Sequence, residues 1–193
     1  LLIAAAWELR SEDAAVDSPE EMLILASIIE KETGVAEERG LVASVFTNRL
    51  NRGMRLQTDP TVIYGVTKGE SILGRGLRQS ELRKVTPWNT YVIEGLPPTP
   101  IANPGKESLM AAVNPDETEY LFFVADGTGG HAFAETLQEH NRNVAKWRRI
   151  EAAGHQPDAD DDLHTVSRHD RAHGETLAQH AADEKSGHGP DPP

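Results

Sequence analysis

Leu23-Ile24-Leu25-Ala26-Ser27-Ile28-Ile29-Glu30-Lys31-Glu32-Thr33-Gly34 is the stretch on which the fold reading turns. It begins as a helix apolar on every side and ends abruptly in charge. Just upstream, Ser18-Pro19-Glu20-Glu21 reads as a helix start: Ser18 is a good N-cap, Pro19 suits the first helical position, and Glu21 completes a capping box. Gly34 supplies a residue able to turn left-handed and stop the helix, so the predicted element runs from Pro19 to Thr33. A helix apolar all round belongs inside a domain. Glu30 follows Ala26 by four residues and Leu23 by seven, and so continues a buried stripe, with Lys31 and Glu32 expected to face water. Desolvation and the carbonyls of the helix C-terminus would both raise the pKa of such a carboxylate. An acid that keeps its proton near neutral pH is what general acid catalysis needs. The same pattern also reads as a plain solvated helix end.

Outward from this helix, residues 1–10 suggest a further helix and 11–17 a polar linker. Leu41, Val42, Val45, Phe46 and Leu50 recur at helical spacing from Glu37 to Arg52, with Gly53 as stop. Thr61 to Gly65 reads as one helical turn and Glu81 to Val85 as another short helix. From Thr86 to Gly105 the chain is rich in Pro, Asn and Gly, and an irregular loop of that length is a functional signal. Asn103-Pro104 is expected to cap a helix ending at Val113. Tyr120 to Ala125 is the clearest strand; Asp126 to Gly130 turns it, and His131 to Ala134 returns as its hairpin partner. Thr136 to Ala153 is a closing amphipathic helix, and Tyr64 and Trp147 read as core. The fold class is α+β: a mostly helical domain with a small antiparallel sheet near 120–134 and long functional loops.

The chain has 193 residues, a net charge of −12 and no Cys. The acidic balance excludes a general nucleic-acid binder, and the missing Cys excludes disulfides, Cys–zinc sites and a thiol nucleophile. Residues 155–193 hold nine Asp/Glu against three Lys/Arg and six of the eight His, with almost no large apolar residues. They are expected to be a disordered acidic tail. Their His residues recur at no ligand spacing, so no metal is expected there. The chain opens on Leu, and Leu1 to Ala6 is too short to span a bilayer. It is expected to be a fragment of a longer protein, divided into a leading helix and linker (1–17), a catalytic domain (18–154) and the tail.

Polar groups gather at four loop positions: Gln57-Thr58-Asp59, Trp88-Asn89-Thr90-Tyr91, Thr99 to Asn103, and Gly129-Gly130-His131. Amides, hydroxyls and aromatic faces together suit a sugar-binding groove. Each has a structural alternative: Asp59-Pro60 caps turns, Asn89-Thr90 caps helices, and His131 reads equally as a structural imidazole. No nucleophile elbow, P-loop, His-Glu-x-x-His or dinucleotide fingerprint competes, so neither metal nor nucleotide cofactor has sequence support.

Six ordered segments carry a resemblance: Ala26 to Thr33, Val42 to Leu50, Gly53 to Gly65, Asn89 to Tyr91, Gly95 to Gly105, and Tyr120 to Phe133. The chain resembles the endolytic peptidoglycan lytic transglycosylases, MltG or YceG-like. Trp88 departs from the Tyr-like residue that family would show. The resemblance implies cleavage of the MurNAc–GlcNAc β-1,4 bond with 1,6-anhydroMurNAc ends. It makes Glu30, the first glutamate of Glu-Lys-Glu-Thr, the catalytic residue, acting as acid and then base. It leaves Gln57, Thr58, Asp59, Asn89, Tyr91, Asn103 and His131 as candidates to position glycan or Glu30, with Asp59 alternatively a second carboxylate. It further implies peptidoglycan strands as substrate and cell-wall synthases (penicillin-binding proteins) as partners. The whole protein would have a single-pass anchor in the bacterial plasma membrane and an extracytoplasmic catalytic part, leaving this stretch itself soluble. The rivals are a muramidase hydrolysing the same bond and a non-catalytic wall-binding module or scaffold.

Overall fold

The structure, a computed structural model, describes residues 2–154. The acidic, His-rich segment 155–193 and the disorder expected of it lie outside the described residues. Chain order is α1 (Leu2–Glu8), α2 (Pro19–Glu32), a 3-10 turn (Ala36–Glu38), α3 (Arg39–Asn51), α4 (Asp59–Thr67), α5 (Gln79–Leu82), α6 (Lys106–Val113), β1 (Phe122–Ala125), β2 (His131–Ala134) and α7 (Leu137–Gly154). This is the expected α+β architecture. Among the described residues no helix is long and apolar enough to cross a membrane.

Helix α2 is the axis of the molecule, and its sequence says why. Met22, Ile24, Leu25, Ala26, Ser27, Ile28 and Ile29 are all buried, so it must be enclosed on every side. It packs most extensively on α6 and also touches α1, α3 and α4. Ser18 caps its start as expected, accepting the Glu21 N–H, but the expected capping box is shifted: Glu21 takes the N–H of Asp17, one residue before the cap, at 2.8 Å. Its end differs from expectation. Gly34 is not left-handed; the helix stops at Thr33, which is extended and whose hydroxyl accepts the Val35 N–H at 3.0 Å. The next helix does end as expected, with Gly53 at φ 64°.

Strands β1 and β2 pair antiparallel with Phe122 opposite Ala134 and Ala125 opposite His131. Helix α7 covers the hairpin, and Phe123 meets Phe46 of α3 edge-on at 5.9 Å, joining the sheet to the helical core. Several elements depart from their predicted form. The short helix expected from Glu81 to Val85 is α5, Gln79–Leu82, and leaves Val85 exposed beyond it. Thr61–Gly65 belongs to a nine-residue helix, α4, that begins at Asp59. Helix α6 begins at Lys106, behind Gly105, and no side chain of its own neighbourhood caps it. Asn103 is exposed on the preceding loop. That missing cap is supplied from α2.

Candidate active site

The two glutamates at the end of α2 have opposite surroundings, and the reverse of those expected. Residues two apart on a helix point to different sides. Glu30 is partly exposed, and its Oε2 accepts the Gly105 N–H at 3.0 Å and the Ser108 hydroxyl at 2.6 Å. It therefore caps α6 from another helix, at the end where the macrodipole favours a negative charge. The Ser108 hydrogen bond, and after it the Gly105 amide, hold the Glu30 carboxyl below its ordinary value. The expected raised pKa is thus corrected: donors to the charged form outweigh the small desolvation.

Glu32 is the buried carboxylate. It is 8 % exposed, where the sequence pattern placed it in water. Its Oε1 accepts the hydroxyl of Thr58, the N-cap residue of α4. Around it closes a cavity of about 10 Å3 lined by Glu32, Gln57, Asp59, Tyr91, Phe123, Val124 and His131. Four sequence-predicted residues thus meet in one place, and they meet at Glu32, not Glu30. Asp59, the first residue of α4, accepts the Tyr91 hydroxyl at 2.6 Å. Burial first, and then the charge of Asp59, push the Tyr91 phenol well above its ordinary range, so Tyr91 stays a neutral donor. Gln57 and His131, both partly exposed, form the outer edge of the chamber.

Gln57 sits at φ 52°, in the left-handed region. Such a conformation costs a non-glycine residue about 1–2 kcal/mol and is concentrated at functional sites. What holds it is Arg49, a residue whose importance sequence reasoning missed. Arg49 is 1 % exposed. Its guanidinium donates to the carbonyls of Leu121 (2.6 Å), Arg55 (2.9 Å) and Leu56 (3.3 Å), and to Gln57 Oε1 at 3.1 Å. One buried fork thus ties α3, the strand edge and the 55–57 loop together. The signal available was a charged residue inside the apolar face of α3, among Val45, Phe46 and Leu50.

The remaining predicted residues serve the frame. Asn89 is buried, donates to the Leu82 and Lys84 carbonyls at 2.9 and 2.8 Å, and accepts the Tyr91 N–H at 2.9 Å. Its amide holds the loop that delivers Tyr91 and does not line the chamber. Asn103 lies outside it too. The 95–105 loop is pinned to α2 at two points, Ile101 N–H to Ser27 Oγ (3.0 Å) and Gly105 N–H to Glu30. A second, open groove of about 650 Å3 runs over α4 past Lys31, Pro60, Tyr64 and Ile101, where Lys31 and Pro60 are the chain neighbours of Glu32 and Asp59, a size that accepts a saccharide. A shallower depression of about 810 Å3, lined in part by Asp13, Asp116, Glu117, Glu119 and Glu135, contains none of the predicted residues. Among the described residues no group of three His, Asp or Glu could hold a metal ion.

The model of the YceG-like family matches residues 3–146. The chain belongs to the YceG-like family. Similar proteins include the endolytic murein transglycosylase of Bacillus subtilis (strain 168), 43 % identical over 130 residues, which make up 67 % of this chain and 35 % of that protein. The endolytic murein transglycosylase of Streptococcus pneumoniae serotype 2 (strain D39 / NCTC 7466) is 36 % identical over 132 residues, 65 % of this chain and 23 % of that one. A 2.6 Å crystal structure of a yceG-like protein from Listeria monocytogenes superposes with a TM-score of 0.58 at 44 % identity, covering 65 % of this chain and 39 % of the other. This YceG-like chain therefore spans about a third or less of the length of the curated relatives it matches.

Proposed function

We propose that the chain carries the catalytic centre of an endolytic murein transglycosylase and that Glu32 is its acid and base. The observation that supports this most is the convergence of Gln57, Asp59, Tyr91 and His131 on the one buried carboxylate of the α2 terminus. Ordinary glycosidases use two carboxylates, one as acid and one as nucleophile or base. A lyase needs one, because the nucleophile is already on the sugar. Protonated Glu32 gives its proton to the oxygen of the MurNAc–GlcNAc bond, and the C1–O bond breaks as an oxocarbenium-like state forms. The MurNAc C6 oxygen then bonds to C1, and its proton passes to the Glu32 carboxylate. The proton count closes, and the product ends in 1,6-anhydroMurNAc.

The chamber is too small for a sugar ring, so only the reacting atoms meet its edge, while the rest of the glycan lies in the groove over α4. Asp59, stabilised in its charged form by the Tyr91 hydroxyl, supplies negative charge for the cationic transition state. In the whole protein, this reading puts the domain on the extracytoplasmic side of a membrane anchor, acting on nascent glycan beside cell-wall synthases.

Glu30 is the second reading. It is the residue the family resemblance names, and both of its described side-chain hydrogen bonds fall on Oε2. Purified murein digested with wild type, Glu32→Gln and Glu30→Gln separates the cases by mass spectrometry. Anhydro-ended fragments from wild type and Glu30→Gln, with none from folded Glu32→Gln, are expected. Loss in Glu30→Gln with retention in Glu32→Gln would transfer the role to Glu30. Reducing ends in place of anhydro ends would mean a muramidase, and no fragments at all from wild type would leave a binding module.

A further inference from the structure

Glu38 lies in the 3-10 turn between α2 and α3, a segment the sequence does not mark as functional. Both of its carboxylate oxygens are committed to one residue. Oε1 accepts the backbone N–H of His131 at 2.8 Å, and Oε2 lies 2.7 Å from His131 Nδ1. Both side chains are largely enclosed, at 16 % and 11 % exposure. The ring is also held edge-on by Phe123 at 5.3 Å and by Phe133 at 6.3 Å. A carboxylate offers only acceptors, so Nδ1 must carry the hydrogen, which leaves Nε2 of a neutral imidazole as an acceptor.

The residue before His131 fits this arrangement. A Cβ at Gly130 would stand 2.6 Å from Glu38 Oε1, and Gly130 is not in the left-handed region. Glycine is therefore needed there for space, not for backbone freedom. The Gly129-Gly130-His131 segment clears room for the carboxylate that grips the histidine. His131 in turn lines the chamber that holds Glu32.

We propose that Glu38 is a positioning residue that locks His131 in the Nδ1–H tautomer and so presents an accepting Nε2 to the chamber, where it takes a hydrogen bond from a hydroxyl of the bound glycan. The catalytic half of this proposal rests on the reading of Glu32 given above. The groups facing His131 are Glu38 from the turn, Glu32 from α2, Asp59 from α4, Tyr91 from its loop and Asp126 from the hairpin turn. Glu38→Gln cannot reproduce the grip. An amide has one acceptor oxygen for two donors, and its NH2 can donate to Nδ1, which moves the ring hydrogen to Nε2. Gly130→Ala displaces the same carboxylate without touching either partner.

The test uses the 193-residue chain labelled with 15N-histidine, with the His131 signals assigned by His131→Asn. Long-range 15N–1H correlation at pH 8 is expected to show the Nδ1–H tautomer in wild type and its loss in Glu38→Gln and Gly130→Ala. On murein glycan strands both variants are expected to lose about ten- to a hundredfold in kcat, with KM little changed. An Nε2–H tautomer in wild type overturns the proposal, and so does wild-type kcat in both variants. If wild type forms no anhydro ends, the catalytic half falls with the reading of Glu32, while the NMR arm still decides the tautomer lock.

Discussion

Glu30 is expected to be a stability residue whose contribution disappears in acid. The first turn of α6 has no cap of its own, and Glu30 Oε2 takes both Gly105 N–H and the hydroxyl of Ser108, which is fully buried. Hydrogen bonds to a charged group contribute about 1.5–3 kcal/mol when well buried. A helix terminus adds about 0.3–1 kcal/mol. Because Glu30 is partly exposed, the low end of each applies. Glu30→Gln keeps an acceptor oxygen but loses the charge, and should cost about 1 kcal/mol. Glu30→Ala strands the Ser108 hydroxyl and should cost about 2 kcal/mol. At about 2–4 °C per kcal/mol for a domain of this size, Tm falls by roughly that amount for Gln and twice that for Ala.

The pH dependence gives the sharper check. Glu30 has a folded pKa below its ordinary 4.5. The unfolded chain therefore binds its proton first, and the stabilisation is complete above that value. It is lost as pH falls through the lower folded value. Urea unfolding of wild type and Glu30→Gln at pH 7 and near pH 3 should show the gap at neutral pH and its closure in acid. Equal stability at pH 7, or a gap that does not change with pH, would refute the capping argument.

Two further outcomes are expected. Gln57→Gly should be more stable than Gln57→Ala by about 1 kcal/mol in denaturant midpoints, because both lose the Arg49 contact and only glycine is unstrained at φ 52°. His140, 0 % exposed and stacked on Phe122 at 5.1 Å, has its pKa lowered from 6.5 to about 4, chiefly by burial and then by the Arg49 charge. Its neutral form then supports the fold above pH 6.5, and up to about 3 kcal/mol is lost as pH falls from there to about 4; His140→Leu should flatten that part of the unfolding curve.

The local signals in this chain were strong where one residue suffices to make them. Ser18 and Pro19 start α2 as capping chemistry requires, Gly53 stops α3, and the apolar run ending in Ala125 pairs with His131–Ala134 as the hairpin pattern predicts. The loop from Thr86 to Gly105 was legible as important because it is too long and too rich in Pro and Asn to be mere connection. Asn89 was picked from it for binding, yet its amide is occupied by Leu82, Lys84 and Tyr91, partners that no spacing in the sequence brings to it. Arg49 and Glu38 gave no sequence signal beyond a charge on or beside a helix.

The sequence by itself determined the α+β class, the buried α2 helix and the loops from which polar groups could be drawn. Only the tertiary structure decided which glutamate of Glu30-Lys31-Glu32 is buried, and the reason is physical. A helix apolar on every side has no preferred face, so its periodicity cannot say which of two terminal carboxylates turns inward. Packing decides it: the N-terminus of α6 draws Glu30 to a partly exposed cap, while Thr58 at the start of α4 takes Glu32 into the chamber.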